Sequence, residues 1–424
     1  MQVTPMKLFN RDFSLLVIGQ TVSIFGNMIL SFALPLFILD ISGSPALFGL
    51  VLSLPYIPLI MVSPIGGIIA DRLKKQQIMF WLDITTTFII LIYMALSGFV
   101  TAIVPVVIVK LMALNAIQGL YLPAVQSSVP LLAHPDKLVP ANAVVTMINQ
   151  FSSMAGMAIA GILYASFGLF PILAVSAVCF AITAVMDLFI RIPYKKQEIA
   201  GSRSPKNLFQ IAKSDVVLAA KFIVKDKPVL ARSGMIVFYM QISLVSMFLV
   251  GIPVMITQIL GLGMELVGIS QSIMFAGGLL GGIIAGTLGT RLTIKAAPFL
   301  LMLVAVLVIP MGLVFLFEMP ALQAYIIITA ASALTLVSIQ VASIQMMAFV
   351  QRETPTELTG KVMSLLVILP FVANALGQLI YGVFFEQFYT LPWIVVFVTV
   401  VFSAAIAFYS RSVFGKYGSP ARAN

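Results

Sequence analysis

Long apolar segments, each about long enough to cross a lipid bilayer, follow one another along almost the whole chain. A transmembrane helix needs roughly 20 apolar residues to cross the hydrocarbon core. By that measure the sequence predicts twelve spans, numbered 1 to 12, near residues 13–39, 45–70, 78–98, 103–126, 138–166, 169–191, 230–258, 264–289, 295–317, 320–350, 358–386 and 390–410. We therefore expect an all-α integral membrane protein with two bundles of six helices.

The composition excludes a water-soluble globule of this length. Hydrophobic residues make up 61% of the 424 residues and charged residues 9%, and the mean hydropathy is +1.12. Such a chain has too few polar groups to cover a surface in contact with water. Membrane lipids are therefore expected partners. The single cysteine, Cys179, lies in an apolar run, so no disulfide is expected.

Positive charge is distributed unevenly between the loops. All but one of the 24 lysines and arginines fall in segments that the span count places on one side, and the opposite turns carry Asp40, Glu265, Glu318 and Glu386. Because cytoplasmic loops carry an excess of lysine and arginine, both termini are expected in the cytoplasm. This bias explains the net charge of +10, so no nucleic-acid partner is expected. The predicted location is the bacterial inner or plasma membrane.

Two halves of the chain repeat each other. Gly66 to Ala70 reads Gly-Gly-Ile-Ile-Ala, and Gly281 to Ala285 reads the same five residues about half the chain length later. The only long polar segment separates the halves and is strongly basic. The sequence thus predicts a six-helix bundle over 1–192, a cytoplasmic linker over 193–229, and a second bundle with a short cytoplasmic tail over 230–424. Two parallel repeats joined in this way are typical of transporters whose halves rock about a central site.

Short motifs near the ends of the spans resemble those of a known family. The segment Gly67-x-x-x-Asp71-Arg72-x-Lys74-Lys75 resembles the loop signature between the second and third spans of the major facilitator superfamily. Within that superfamily, four motifs resemble the branch of macrolide-efflux proteins and the enterobactin exporter: Asp40-Ile-Ser-Gly-Ser44, Pro123-Ala124, Pro130-Leu131-Leu132 and Ala141-Asn142-Ala143. The resemblance implies a monomeric transporter with the major facilitator fold that exports a small molecule.

The resemblance also implies a gate at the cytoplasmic end of span 2. In the family, an acid at the position of Asp71 pairs with the end of a helix in the second half and holds the cytoplasmic side closed. The predicted gate residues are Gly67, Asp71, Arg72, Lys75 and Asp83. The alternative is that Arg72 and Lys75 only set the topology, and that Asp83 is an acid at the membrane interface.

Short side chains recur at four-residue spacing on two spans, which favours close packing with a neighbouring helix. They are Ser63, Gly67 and Asp71 at the end of span 2, and Gly278, Gly282 and Gly286 on span 8. We expect both stripes to lie in tight helix contacts.

Lys110 is a charged residue well inside span 4. An ammonium group at the centre of a span costs roughly 3 kcal/mol unless it faces water or a partner. Lys110 shares one helical face with Leu114, Gln118 and Tyr121, and in the resembling superfamily spans 1, 4, 7 and 10 line the central cavity. We therefore expect Lys110 to face that cavity, with Asp40 as its counter-charge. The alternative is that Lys110 snorkels to the membrane surface.

Polar side chains on the four lining spans complete the predicted substrate cavity. Its residues are Lys110, Gln20, Asn27, Leu114, Gln118, Tyr121, Tyr239, Gln241, Gln340 and Gln345. Each amide alone could merely bridge two helices. Together they describe a mostly apolar cavity with few polar groups, which suits an amphipathic or lipophilic cargo.

The energy source is predicted from the resemblance, because spans 1, 4, 7 and 10 have no acid near their middle. Asp40 and Asp83 are the candidates for proton coupling. The chain is thus predicted to be a proton antiporter that exports a drug or metabolite by alternating access. The alternatives are an uptake or facilitative transporter and a non-transporting receptor or scaffold with the same fold.

The sequence contains no motif of an enzyme or of a metal site. It has no phosphate-binding glycine loop and no nucleophile-base pair. The single histidine, His134, has no cysteine or acid at ligand spacing. We therefore expect no catalytic activity, no metal and no cofactor.

Overall fold

The computed structural model describes residues 9–96, 102–133, 137–193, 218, 220–288 and 294–415. Within these ranges all regular structure is helical, as expected for a chain that must satisfy its backbone hydrogen bonds inside a membrane. The helices of the first half are span 1 (Arg11–Ser42), span 2 in two parts (Pro45–Ser53 and Tyr56–Arg72), span 3 (Lys75–Leu96), span 4 (Ile103–Leu132), span 5 (Leu138–Phe167) and span 6 (Leu169–Phe189).

The second half begins with an irregular helix. Span 7 runs over Pro228–Ile259 and contains two wide five-residue turns, Gln241–Val245 and Met255–Ile259. The helices that follow are span 8 (Met264–Leu288), span 9 (Ala297–Leu316), span 10 (Ala321–Glu353), span 11 (Thr356–Gln387) and span 12 (Pro392–Phe414).

The helices have the lengths that a membrane requires. In the described part of the chain, 11 helices are long and apolar enough to cross a bilayer. Span 5, with 30 residues, completes the predicted set of twelve. The prediction of an all-α integral membrane fold is therefore confirmed, and the protein is a multi-pass membrane protein.

The turn between spans 1 and 2 shows how local residues end one helix and begin the next. Gly43 adopts a left-handed conformation (φ 62°), and its N–H donates to the carbonyl of Leu39, which closes span 1. The Ser44 hydroxyl then accepts a hydrogen bond from the N–H of Leu47 (3.2 Å). Pro45 occupies the first turn of span 2, where it needs no backbone donor.

The chain divides into two compact units. Unit 1 comprises Met1–Gln197 with Gly263–Ser272, and unit 2 comprises Glu198–Leu262 with Ile273–Asn424. The first residues of span 8 belong to unit 1, where the backbones at Gly161 and Gly268 are too close for side chains between them. The predicted linker over 193–229 lies mostly outside the described residues, so the boundaries predicted around it stay predictions.

In unit 1, spans 2 and 4 cross at a pair of glycines. A Cβ atom on Gly66 would lie 2.5 Å from the carbonyl oxygen of Gly119, and one on Gly119 would lie 3.0 Å from the carbonyl oxygen of Leu59. A side chain on either glycine would force the two backbones apart. A Cβ on Gly67 would meet no described atom within 4 Å. The tight contact therefore lies one residue before the glycine of the predicted stripe.

The equivalent glycine of the repeat, Gly281, makes the same kind of contact in unit 2. A Cβ there would lie 2.6 Å from the carbonyl oxygen of Val337 in span 10. The predicted stripe on span 8 is wrong at Gly282 and Gly286, because a Cβ at either position would have no neighbour within 4 Å in the described part of the chain. The repeated pentapeptide thus marks the crossing of span 2 with span 4 and of span 8 with span 10.

The Gly66→Ala variant is expected to be destabilised by about 1–3 kcal/mol, the usual cost of an extra methyl group in a close-packed interior. The atoms that would have to move belong to the backbone of span 4, which cannot rotate away as a side chain could. The loss should appear as a lower Tm of the purified protein in detergent.

Gly67→Ala is the matched control, because the described structure leaves space for its Cβ. It should keep the wild-type Tm or raise it slightly, since alanine favours a helix over glycine. An equal loss of Tm in both variants would contradict the crossing at Gly66.

Candidate functional site

A cavity of about 430 Å³ lies inside unit 2, between spans 7, 10 and 11. Its wall is mostly apolar, and the polar side chains in it are Ser233, Gln241 and Ser343. None of the described residues that line it carries a charge. Binding sites for small molecules usually have this size and this balance of apolar wall and few polar groups. The cavity is therefore a candidate site for a small, mostly apolar molecule.

Gln241 stands at an irregular turn of span 7. Over Gln241–Val245 the backbone forms a turn one residue wider than in an α-helix, in which the N–H of Ser246 donates to the carbonyl of Gln241. The hydroxyl of Ser246 donates to the same carbonyl (3.0 Å). Wide turns of this kind frequently occur at functional sites. The turn changes the direction of the side chains that follow it.

The side-chain oxygen of Gln241 has no partner among the described residues. It is buried and accepts no hydrogen bond from any described residue. A buried polar group left in this state typically costs about 1–3 kcal/mol. A ligand that donates a hydrogen bond to this oxygen would recover that energy, so Gln241 is the best-placed polar contact in the cavity.

The structure places the other predicted cavity residues of the second half outside this cavity. Tyr239 is 36% exposed, and its ring packs edge-on against Phe402 with centroids 6.0 Å apart. On span 10, Gln345 is buried and Gln340 half-buried, but neither is among the residues around the cavity. Their role in substrate binding stays a prediction.

Span 10 reaches the cavity through Ser343, Met346 and Met347 instead. Successive residues of a helix are rotated by about 100°, so residues two positions from a predicted one face a different neighbour. Sequence reasoning missed these three because methionine and serine on an apolar span have no distinctive spacing. Met347 is 40% exposed. Exposure of this kind depends on how the helices pack, so the sequence alone does not reveal it.

In unit 1 a tyrosine links spans 1 and 4. The side-chain amide of Gln20 donates to the hydroxyl of Tyr121 (2.7 Å), and Ser23 also hydrogen-bonds to this hydroxyl. Tyr121 is almost fully buried. Two residues predicted to line the substrate cavity are thus joined to each other inside the bundle.

Three further predicted cavity residues of unit 1 make less specific contacts. Asn27 is half-buried and accepts a long hydrogen bond from Ser31 (3.5 Å). Leu114 belongs to a buried apolar cluster, and Gln118 is half-buried. The structure brings none of the three to a defined polar site among the described residues.

Asp83 in span 3 and Asp187 in span 6 are brought together inside unit 1. Each is 2% exposed, and the charge of one acts on the other. Both also act on Tyr121. Each acid has one carboxylate oxygen that is buried and accepts no hydrogen bond from the described residues. Unit 1 therefore contains a pair of acids that lies away from solvent.

Sequence reasoning gave Asp187 no role, because it lies near the end of the predicted span 6. In the structure, hydrogen bonds join the residues that follow span 6 to spans 1 and 3. The N–H of Arg191 donates to the carboxylate of Asp12 (3.1 Å), and the N–H of Ile192 donates to the side chain of Gln76 (3.1 Å). The missed signal was a buried polar stripe on span 6, formed by Ser176, Thr183 and Asp187 at helical spacing.

Lys110 lies in the interior of unit 1 against an aromatic ring. Its Nζ atom is 3.9 Å from the centroid of the Tyr93 ring, and the residue is 4% exposed. Nζ has no hydrogen-bond partner in the described part of the chain. A cation over an aromatic face gains about 2 kcal/mol where water is excluded. Lys110 therefore does not snorkel to the surface, and its predicted place in a substrate cavity stays a prediction.

The predicted counter-charge of Lys110 is wrong. Asp40 lies at the exposed end of span 1 and accepts a hydrogen bond from the hydroxyl of Tyr164 in span 5 (2.7 Å). Tyr93, which has no charge, takes the place expected for the acid. A sequence does not reveal such a contact, because Tyr93 and Lys110 lie on different spans.

The predicted gate is described only in part. Lys75 donates to the carbonyl of Ala70 at the end of span 2 (2.9 Å), which stabilises that helix end. Arg72 is exposed. The side chain of Asp71 lies outside the described residues, so the latch stays a prediction. In unit 2, Lys227 and Glu353 form an ion pair (2.8 Å) that sequence reasoning did not anticipate.

Comparison with known proteins gives the family context of this arrangement. The model of a family described as Major Facilitator Superfamily matches residues 16–378. An uncharacterized MFS-type transporter, YfiS of Bacillus subtilis (strain 168), is 26% identical over 176 residues, which are 41% of this chain and 41% of the relative. Macrolide efflux protein A of Streptococcus pyogenes is 22% identical over 175 residues, 41% of this chain and 43% of the relative. The matched region spans less than half the length of these relatives.

Solved structures of transporters share the fold. A structure of the nucleoside transporter NupG superposes with a TM-score of 0.73 and 12% identity, covering 96% of this chain and 100% of that one. A D-xylose-proton symporter superposes with a TM-score of 0.69 and 13% identity, covering 94% of this chain and 96% of that one. At these identities the likeness establishes the fold alone.

The Lys110→Met variant is expected to be as stable as the wild type or more stable, by up to about 4 kcal/mol. Methionine fills a similar volume without a buried charge, and such replacements are often neutral or stabilising. The measurement is the Tm of the purified protein in detergent.

Two variants of the neighbouring ring serve as the comparison. Tyr93→Phe keeps an aromatic face under Lys110 and should leave Tm nearly unchanged, whereas Tyr93→Leu removes the face and should lower it. If Lys110→Met lowers Tm as much as Tyr93→Leu does, the ammonium group stabilises unit 1 and the prediction is wrong.

Proposed function

The chain belongs to the Major Facilitator Superfamily, and we propose that this secondary transporter exports a small amphipathic or lipophilic compound as a proton antiporter. Export proceeds by alternating access, in which the site opens to one side of the membrane at a time. The cargo is a drug or metabolite. The observation that carries the proposal is the cavity in unit 2.

The chemistry of that cavity supports an uncharged or weakly polar cargo. No described residue in its wall is charged, and its polar groups are two hydroxyls and the amide of Gln241. An ionic cargo would lose its hydration there without gaining a counter-charge, which is strongly unfavourable. A compound with an apolar body and a hydrogen-bond donor would find contacts for both.

Export rather than uptake is supported by the partial match to macrolide efflux protein A. Uptake or facilitated passage of a small solute is the second candidate, since the D-xylose-proton symporter has the same fold. A receptor or scaffold that binds a ligand without moving it is the third. The three differ in the direction of flux and in whether flux occurs.

The setting is part of the same proposal, and the charge distribution of the sequence supports the placement of the termini. The protein acts in the bacterial inner or plasma membrane as a monomer, with both termini in the cytoplasm and with lipids and protons as partners. It acts without a cofactor, catalyses no reaction, and binds no nucleic acid.

Export is tested by expression in a bacterial strain that lacks its own major exporters. We expect growth to be protected against part of a panel of neutral amphipathic antibiotics that includes chloramphenicol, with lower accumulation of the protected compounds. An uncoupler of the proton gradient should abolish the difference. Higher accumulation on expression would favour uptake. Absence of protection together with absence of counterflow in proteoliposomes would favour a receptor.

The Gln241→Leu variant is expected to lose about tenfold in affinity for a cargo that donates a hydrogen bond, which corresponds to about 1.4 kcal/mol for one such bond. The measurement is the ligand-dependent shift in Tm of the purified protein, with a compound that the growth panel identifies. A cargo without a donor should bind the variant as well as it binds the wild type.

Gln378→Leu is the matched control for this variant. Its side-chain oxygen is also buried without a partner among the described residues, but it is not among the residues around the cavity. It should bind cargo with wild-type affinity. Equal losses in the two variants would mean that the effect on affinity arises from general destabilisation of unit 2.

A further inference from the structure

We propose that Asp83 and Asp187 form a proton-binding site inside unit 1, in which two carboxyl groups share one proton that is released and rebound during transport. The inference rests on the proposed proton antiport and names the residues that would hold the proton. It keeps Asp83, one of the two acids predicted for proton coupling, and pairs it with Asp187 of span 6 instead of Asp40.

The two acids lie in the interior of unit 1. Both are almost fully buried, the helices that carry them, spans 3 and 6, pack against each other, and the charge of Asp187 acts on Asp83. Two ionised carboxylates side by side repel strongly where water is excluded, whereas one proton held between them removes the repulsion. The dry interior of the bundle therefore favours the pair with a single bound proton.

No described residue neutralises the pair. The oxygens Oδ2 of Asp83 and Oδ2 of Asp187 are both buried without a hydrogen-bond partner among the described residues. No lysine or arginine in those residues forms an ion pair with either acid. An acid kept in this state without a partner is unfavourable, and a proton supplies both a hydrogen-bond donor and the missing charge.

Among the described residues, the polar groups linked to the pair through Tyr121 carry no fixed charge. Span 4 contributes Tyr121, and span 1 contributes Gln20 and Ser23, which hydrogen-bond to its hydroxyl. The basic residue Lys75 at the start of span 3 is already bound to the carbonyl of Ala70. Both acids act electrostatically on Tyr121, so its uncharged hydroxyl is one of the polar groups near the pair.

The proton transfer balances without any further reactant. One carboxyl group breaks its O–H bond, and the proton passes to water. The pair then carries two negative charges, which is tolerable only when water reaches it. Binding and release of the proton therefore require that water enters and leaves the interior of unit 1. The conformational changes of a transport cycle would move this water.

The occupancy of the site is tested first, without any cargo. The infrared band of a protonated carboxyl group is measured on the purified full-length protein at neutral pH. We expect the band in the wild type and its loss in the double variant Asp83→Asn/Asp187→Asn. Asp226→Asn, which changes an exposed acid in unit 2, is the control and should keep it. A band that survives in the double variant would overturn the inference.

Coupling is tested in proteoliposomes with chloramphenicol or another compound from the growth panel as the probe. Asp83→Asn and Asp187→Asn should lose accumulation driven by a pH gradient but retain exchange of the probe at equal pH. Each variant is first checked for wild-type Tm and a single peak in gel filtration. Asp83→Glu, which keeps the carboxyl group, should retain part of the pH-driven accumulation.

The outcomes separate this inference from the proposed antiport. If the wild type is driven by a pH gradient and both single variants remain so, the pair does not hold the coupling proton while antiport stands. If the wild type ignores the pH gradient, antiport fails and the transport role of the pair fails with it, whatever the infrared band shows. If a sodium gradient drives the wild type and either variant abolishes this, the pair binds a metal cation instead.

Discussion

The absence of water from the hydrocarbon core governs where this chain places its polar groups. Most short polar side chains bond back to their own helix, as Thr87 does to the carbonyl of Asp83 (2.9 Å) and Ser128 does to that of Ala124 (2.6 Å). Against this background the side chains that find no such partner are conspicuous. Among the described residues, the ionisable ones with an unpaired buried atom are Asp83, Lys110 and Asp187, and all three belong to unit 1.

The two units share a scaffold but differ in chemistry. Each uses the first glycine of the repeated pentapeptide, Gly66 or Gly281, to bring two backbones into contact. Unit 1 encloses ionisable groups, whereas the cavity of unit 2 is lined by uncharged described residues. An apolar ligand competes poorly with water, and an unpaired charge in a cavity retains water. Because the unpaired ionisable groups lie in unit 1, the cavity of unit 2 remains suited to an apolar cargo.

The spans, their order and their family could be predicted from the sequence, because apolar length and motif are properties of the chain itself. The direction in which each residue of a helix faces could not be predicted in the same way. Adjacent residues of a helix face directions about 100° apart, so a prediction that is one residue off names the wrong contact. This happened at Gly67, whose neighbour Gly66 makes the crossing, and on span 8, where Gly281 makes the contact expected for Gly282. Partners on other helices were equally hidden, as Tyr93 was for Lys110.

Span 3 explains why the opposite charges inside unit 1 do not simply neutralise each other. Asp83 and Tyr93 are ten residues apart on one helix, which places them about 15 Å apart along its axis. Lys110 lies over the ring of Tyr93, so a salt bridge to Asp83 would need the helices to slide by several turns. Each charge must therefore be compensated where it stands. For the ammonium group the structure provides the face of a ring. For the two acids the described residues provide no cation, and the proposed shared proton would compensate them without any additional residue.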